Sequence, residues 1–527
     1  MAAVRRVVGS AWYVVAPALF VTAPLAGSSL QYDEIKLVAR TAYEIRANPL
    51  RAAHDSYEVT DHFLSRGNFR PIGRFLENLY YSAVYETAEA TSLAPHAVQG
   101  LVRLALLSVL AFVATQIVWA LMRSAGADRR SPALLVYPMA FAAVLVAGGS
   151  GSPIVLFPFL FIGAAVLVLA IALAVARDFD MQIRPLLPIE RVAVGLLGAA
   201  AAMVYDLVYV APGVAAAFIA SRAVASHMRP RELVRTAAVK RWSYLLLGFL
   251  AVFVPTRLEI ASRCSQRACY DRSDIEPSSE VLVLLPARVI SGAPPAGWRY
   301  VADRFNPGGQ LDALDLASNS LLALLAIAVV AVAVVVSTRA CRAVGIDGRG
   351  TAWSSDGSPA WLRLAGGVAL VGATMAVLPA LLASFSRWLQ QDRPPVGEAW
   401  RETLMVQVGW SFLLFAACAT VVGAVASRGA RRIVLSATGV LVAAGMVLTL
   451  YSNWTVAVSQ TRNPVTSITR QVLAETMSGD AAGEANARRC HLMDAYERAA
   501  DPPFPASEIF DDLMLDRFGY PFCDHDR

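Results

Sequence analysis

The chain has 527 residues, 56% of them hydrophobic and only 16% charged, with a net charge of +6. A soluble domain carries about 25% charged residues, and a soluble chain of this length splits into several domains with polar surfaces between them. Long apolar runs stand in place of such surfaces, which excludes a soluble multidomain enzyme and leaves an all-α polytopic membrane protein.

A helix needs roughly 20 mostly apolar residues to cross a bilayer. Eleven segments fit as transmembrane helices: about 8–29, 101–122, 132–149, 153–176, 192–207, 209–222, 242–257, 319–338, 362–385, 403–426 and 432–452. The fifth and sixth are short and closely joined. Arg5 and Arg6 precede the first, and Ala23-Pro24-Leu25-Ala26 follows it, as in a secretory signal. Its apolar run is long for a signal, and more spans follow, so it is expected to stay as an anchor.

With the N-terminus cytoplasmic, the inner pieces hold 21 Lys+Arg against 7 Asp+Glu, and the outer pieces 25 against 33. The basic excess falls inside, as the positive-inside rule requires, and the C-terminus falls outside. The run Arg222, Arg229, Arg231, Arg235, Lys240, Arg241 is the strongest topological anchor, beside anionic membrane lipid. The basic balance therefore implies no nucleic-acid partner, and no nucleic-acid-binding motif occurs. The protein is expected in the plasma membrane, multi-pass, with its three long segments (30–100, 258–318 and 453–527) extracytoplasmic. A transmembrane core, 1–452, and a small outer helical domain, 453–527, follow from this map.

The first outer loop opens on Asp33-Glu34, just beyond the first span. A carboxylate in the dielectric gradient at a membrane edge is a candidate general base. A solvated helix start reads the same pair without chemistry. Residues 34–47 alternate at helical spacing. Asp61-His62 precedes the segment Ser65-Arg66-Gly67-Asn68-Phe69-Arg70-Pro71-Ile72-Gly73-Arg74, where Arg66, Arg70 and Arg74 recur every four residues. Arginine forks bind phosphate oxygens, and a helix N-terminus adds unpaired N–H groups. Headgroup anchoring is the alternative use of these arginines. Residues 71–89 form an amphipathic juxtamembrane helix, with Ile72, Phe75, Leu76, Leu79, Tyr80 and Val84 as one stripe and Arg74, Glu77 and Asn78 off it.

Asp206, among apolar residues where two short spans meet, is a candidate substrate-binding acid, since a membrane-embedded acid is costly; a hairpin tip in water explains it equally. Asp178-Phe179-Asp180 imitates a metal-binding D-x-D but sits in a short inner loop. The stretch VLVLLPARVI at 281–290 fits either a buried strand or an interfacial helix. The tail is expected to hold helices at about 464–478, 482–499 and 506–518. Cys264 and Cys269 share one outer loop and Cys490 and Cys523 share the tail, which suits two disulfides in an oxidising compartment. Asn453-Trp454-Thr455 is a glycosylation sequon. His491 and Asp524-His525-Asp526 are read as a frayed end rather than metal ligands.

The acidic pair directly after the first span, the Gly67-Asn68-Phe69-Arg70-Pro71-Ile72-Gly73-Arg74 segment on a juxtamembrane helix, the many-span core and the outer C-terminal domain together resemble the GT-C superfamily of integral-membrane glycosyltransferases. Arg outnumbers Lys 44 to 2, a GC-rich usage that fits an actinobacterial member. The resemblance implies transfer of a sugar from a polyprenyl-phosphate donor to a cell-envelope glycan or lipid acceptor on the outer face. It implies a general base at Asp33 or Glu34 and phosphate ligands at Arg70 and Arg74, with Arg66, His62 and Asp206 as further substrate-binding candidates. A divalent metal is the one cofactor it allows; no second outer D-x-D supports one. A transporter or flippase for a lipid-linked or small substrate, and a non-catalytic membrane scaffold, are the competing readings.

Overall fold

The computed structural model describes all residues except 1, 31–32, 47, 127–132, 150, 178, 180–184, 267–268, 270–274, 306–319, 347–359, 426, 479–482, 500–506 and 525–527. Asp178, Asp180, His525 and Asp526 therefore lie outside the described residues. Among those described the regular elements are all helical, with one isolated bridge between Ile275 and Ser386 and no strand. The helices are α1 (Ala2–Thr22), α2 (Asp33–Lys36), α3 (Ala42–Ile45), α4 (Pro49–Leu64), α5 (Pro71–Thr91), α6 (Pro95–Ser124), α7 (Ala133–Val144), α8 (Pro158–Val175), α9 (Pro188–Ala201), α10 (Ala211–Ala225), α11 (Pro230–Arg235), α12 (Ala237–Gln266), α13 (Glu280–Ser291), α14 (Pro294–Phe305), α15 (Ser320–Ile346), α16 (Ala360–Ser384), α17 (Arg387–Asp392), α18 (Thr403–Ala424), α19 (Arg428–Arg462), α20 (Pro464–Ser478), α21 (Gly483–Ala499) and α22 (Glu508–Phe518).

Among the described residues, seven helices are long and apolar enough to cross a membrane: Pro95–Ser124, Pro158–Val175, Asp206–Ala225, Ala237–Ser265, Leu362–Ser384, Thr403–Ala424 and Gly429–Arg462. An eighth is added if α13 and α14, bent by 85° at their junction, count as one broken span. Trp12–Gly27 and Ser320–Val336 are apolar but shorter. The remaining two expected segments hold only the 12-residue α7 and the 14-residue α9.

The expected span at 132–149 is corrected in its second half. Past Val144 the chain leaves the helix and runs irregularly to Phe157, still largely buried. Irregular backbone survives in an apolar interior only where side chains satisfy it. Here Asn453 accepts from the Ala147 amide (2.8 Å) and donates to the Leu145 and Val21 carbonyls (2.9 and 2.8 Å). Gln407 donates to the Val146 carbonyl (2.7 Å) and Arg103 to the Val155 carbonyl (2.8 Å). Asn453 is fully buried in this role, so the sequon it heads is closed to glycosylation.

Contacts among described residues mark two ends of the bundle. At one end, Arg222 reaches Ser124 and the Ala176 carbonyl, and Arg241 reaches the Arg177 carbonyl. This is the basic end. At the other, α4 and α5 meet the α9–α10 junction, and the tail helices pack on the first loop. A second apolar core joins Leu30, Ile35, Val38, Tyr81, Val84 and Tyr85 to Val472, Leu473, Tyr496, Phe510 and Phe522. The tail helices therefore share a core with residues 30–98. Cys490 is bonded to Cys523 and Cys264 to Cys269. The 281–290 stretch is helix, not strand: α13 buries Val281, Leu284 and Arg288 and exposes Leu282 and Val283.

Candidate functional site

Helix α5 carries the arginines and is fixed at its first turn. Pro71 suits the first helical position, whose N–H has no helical partner. The Gly73 amide donates to the Met203 carbonyl (3.3 Å), and a Cβ on Gly73 would stand 1.9 Å from the Val204 oxygen. Only glycine allows so close an approach. Ser56 Oγ donates to the Pro71 carbonyl (2.6 Å), and Asn78 Nδ2 to Asp55 (2.7 Å), which ties α4 to α5.

The apolar stripe expected on α5 divides: Tyr80 and Val84 are buried, and its other members are only partly covered. Gly73, Glu77, Asn78, Tyr80, Tyr81, Val84 and Tyr85 face the protein, while Ile72, Phe75, Leu76 and Leu79 are only partly covered. Asn78 turns inward to Asp55, Tyr81, Val84 and Tyr85 turn to the second apolar core, and Ile72 and Phe75 turn to an apolar groove. That groove, of about 400 Å³, runs between α4 and α5 along Ser56, Tyr57, Phe69, Ile72, Phe75 and Met203.

Arg70 stands between Phe69 and Pro71, which line this groove, and Arg74 lies one turn further along α5. The Arg70 guanidinium sits over the Tyr205 ring (5.5 Å) and that of Arg74 over Phe63 (3.4 Å). Both Nε atoms are buried without a hydrogen-bond partner. Burial, and next to it the charge of Arg70, pushes the Arg74 pKa down to about 10; Glu77, Asp33 and Asp55 act the other way. Two cations side by side with unspent donors form an electrostatic seat for an anion. Arg401, from the segment before α18, acts on Tyr205 together with Arg70.

The acidic pair is divided. Asp33 is exposed and close enough to Arg74 to act on its charge. Glu34 is 0% exposed. Its Oε1 accepts from the Tyr81 hydroxyl (3.0 Å), the Phe157 amide (2.9 Å) and Gln99 Nε2. Burial, and then the charge of Glu34, push the Tyr81 hydroxyl well up, so it remains a donor. Arg103, fully buried, supplies a positive charge nearby and donates to the Leu25 and Val155 carbonyls. A carboxylate so enclosed does not meet a substrate. Of the two expected acids, Glu34 is thus closed off and Asp33 is the exposed one. A turn of π-helix, Leu37–Thr41, follows directly, a feature often found beside functional sites.

The other candidates fall elsewhere. Arg66 and His62 are exposed, and His62 packs its edge on Phe63 (5.3 Å). Asp206 is paired with Arg257 (3.1 Å), which in turn covers Tyr209 (5.1 Å). Asp206 is thus paired rather than free, and its side chain is 30% exposed. Among the described residues no three His, Cys, Asp or Glu side chains are grouped to hold a metal ion.

Sequence reasoning missed a second polar centre. Arg288 on α13 and Glu402 before α18 form an ion pair at 2.7 Å with 1% and 0% exposure. Arg288 Nη1, Glu402 Oε2 and Gln407 Oε1 are buried there without partners. The signal was present, since Arg103 and Arg288 are lone charges inside apolar runs, and such residues are functional or structural by default. Their partners lie too far along the chain for spacing to reveal them.

No family model, no curated protein and no solved structure matches this chain.

Proposed function

We propose that the protein is an integral-membrane glycosyltransferase of the GT-C type, which transfers a sugar from a polyprenyl-phosphate donor to a glycan or lipid acceptor of the cell envelope. One observation carries the reading: Arg70 and Arg74 act on each other's charge with unpaired Nε atoms, and the exposed Asp33 lies near enough to act on Arg74. In this reading the arginines take the donor's phosphate and the groove along Phe69, Ile72, Phe75 and Met203 takes the first isoprene units. The end of the bundle that carries these residues is extracytoplasmic, the basic end is cytoplasmic, and the membrane is the plasma membrane. The N-terminus is then inside and the tail outside.

The chemistry is a single displacement. The acceptor hydroxyl oxygen attacks the anomeric carbon, its proton passes to Asp33, and the bond from that carbon to the phosphate oxygen breaks. The polyprenyl phosphate leaves with the electron pair, and Arg70 and Arg74 stabilise the charge it gains. The configuration inverts, and no step calls for a metal.

Binding is tested on the purified protein with a short-chain polyprenyl phosphate, the matching prenol and inorganic phosphate. The prenyl phosphate is expected to raise the Tm, and Arg70→Gln/Arg74→Gln to remove the shift. An equal shift from the prenol, or one that survives both substitutions, would sink the reading.

One observation favours transport of a lipid-linked or small substrate instead. Broken helices and buried charges mark transporter sites, and α13–α14 is such a pair, closed by Arg288–Glu402.

A further inference from the structure

Asp33 lies between two gripped pieces of chain, residues 27–30 and Glu34. From the bundle, Tyr81, Gln99 and the Phe157 amide hold Glu34. From the tail, Arg470 on α20 donates to the Gly27 carbonyl and to Ser29 Oγ. Ser28, Ser29 and Leu30 are buried at the first grip and Glu34 at the second, and Asp33, next to Glu34, is exposed. Burial lowers the Arg470 pKa, and its bonds go to neutral oxygens of residues 27–30. The tail is itself locked to the first loop: Arg517 pairs with Glu89 (2.6 Å), and the Tyr43 hydroxyl donates to the Asp516 carbonyl (3.3 Å).

We propose that Arg470 and Glu34 are positioning residues that aim the Asp33 carboxylate, and that the tail serves as a clamp on the acidic segment. The proposal rests on the reading of Asp33 as the base. A general base must lie within hydrogen-bond reach of the proton it takes, and a misplacement of about 1 Å costs on the order of 100-fold in rate. A segment with a free acidic end needs fixing on both sides, and the two residues do this from independent parts of the chain.

The test uses the full-length protein in lipid nanodiscs. Transfer from a polyprenyl-phosphate sugar and amide hydrogen exchange are measured for wild type, Arg470→Gln, Arg470→Lys, Glu34→Ala and Glu34→Gln. Arg470→Gln is expected to lower kcat by about 100-fold with the donor KM unchanged, because Arg70 and Arg74 are untouched. Arg470→Lys, which can still donate, recovers part of the rate. Glu34→Gln keeps an accepting oxygen and loses less than Glu34→Ala. Exchange is expected to quicken over 33–45 and to stay the same over 71–91. A wild-type kcat in Arg470→Gln, or unchanged exchange over 33–45, would overturn the clamp. If wild type shows no transfer, the enzyme reading falls, and the exchange result alone decides the clamp.

Discussion

Gly73→Val is expected to abolish prenyl-phosphate binding and sugar transfer together, and to destabilise the protein by about 3 kcal/mol, at the upper end of ordinary overpacking. The Cβ of any side chain at 73 meets the Val204 oxygen at 1.9 Å and its carbon at 2.9 Å. Both are backbone atoms, so no rotamer change relieves the contact. The first turn of α5 has to move off the α9–α10 junction, and it takes with it the Gly73 amide bond to Met203 and the seats of Arg70 and Arg74. Gly163→Ala is the control: its Cβ meets nothing within 4 Å, and alanine is the better helix former. Thermal unfolding and ligand binding in detergent read both variants. Wild-type binding by Gly73→Ala, the mildest change, would contradict the close packing that fixes the arginines.

The second large effect is expected at the buried pair. Arg288→Met alone, or Glu402→Leu alone, leaves one uncompensated charge in the interior and is predicted to cost about 3–5 kcal/mol. The double variant removes both charges, and replacing such a pair with apolar groups is often close to neutral. The double is therefore expected to be markedly more stable than either single, a coupling that unfolding measurements on the four proteins resolve. Additive losses would show that the two charges do not depend on each other. The same double variant separates the two functional readings. It keeps sugar transfer if the pair only holds α13 against α18. It stays folded yet loses function if the pair lies on a substrate path.

Much of the architecture was legible because it rests on local pattern. The three tail helices begin and end within two residues of where apolar spacing and Pro464 place them. Pro71 marks the start of α5, since proline is favoured at a first helical position. The ends of α6, α8 and α10 and the start of α12 meet through Arg222 and Arg241, because each apolar run reverses the chain.

What pattern could not supply was direction. On α5, Glu77 and Asn78 are buried although they lie off the apolar stripe, while Ile72, Phe75, Leu76 and Leu79 on it are only partly covered. Asp33 and Glu34 are neighbours of like chemistry, and their fates part only because Tyr81, Gln99 and Phe157, up to 123 residues away, close around one of them. Residues 145–157 read as parts of two spans because they are apolar, yet their backbone is held by side chains. Asn453 and Gln407 come from more than 250 residues further along. The candidate site follows the same rule: Arg70 and Arg74 stood out by their spacing, whereas Tyr205, Arg401 and Arg470 join it only through tertiary packing.

The central claim is that Asp33 takes the proton of an acceptor hydroxyl during sugar transfer from a polyprenyl phosphate. Its most direct test is the Asp33→Asn variant expressed in place of the wild type in the native host, with envelope glycans and polyprenyl-phosphate sugars analysed side by side. The account predicts a glycan lacking one sugar and an accumulated lipid-linked donor, with the variant present in the membrane at wild-type amount. An unchanged glycan with no accumulated donor, from a variant folded in the membrane, would contradict it.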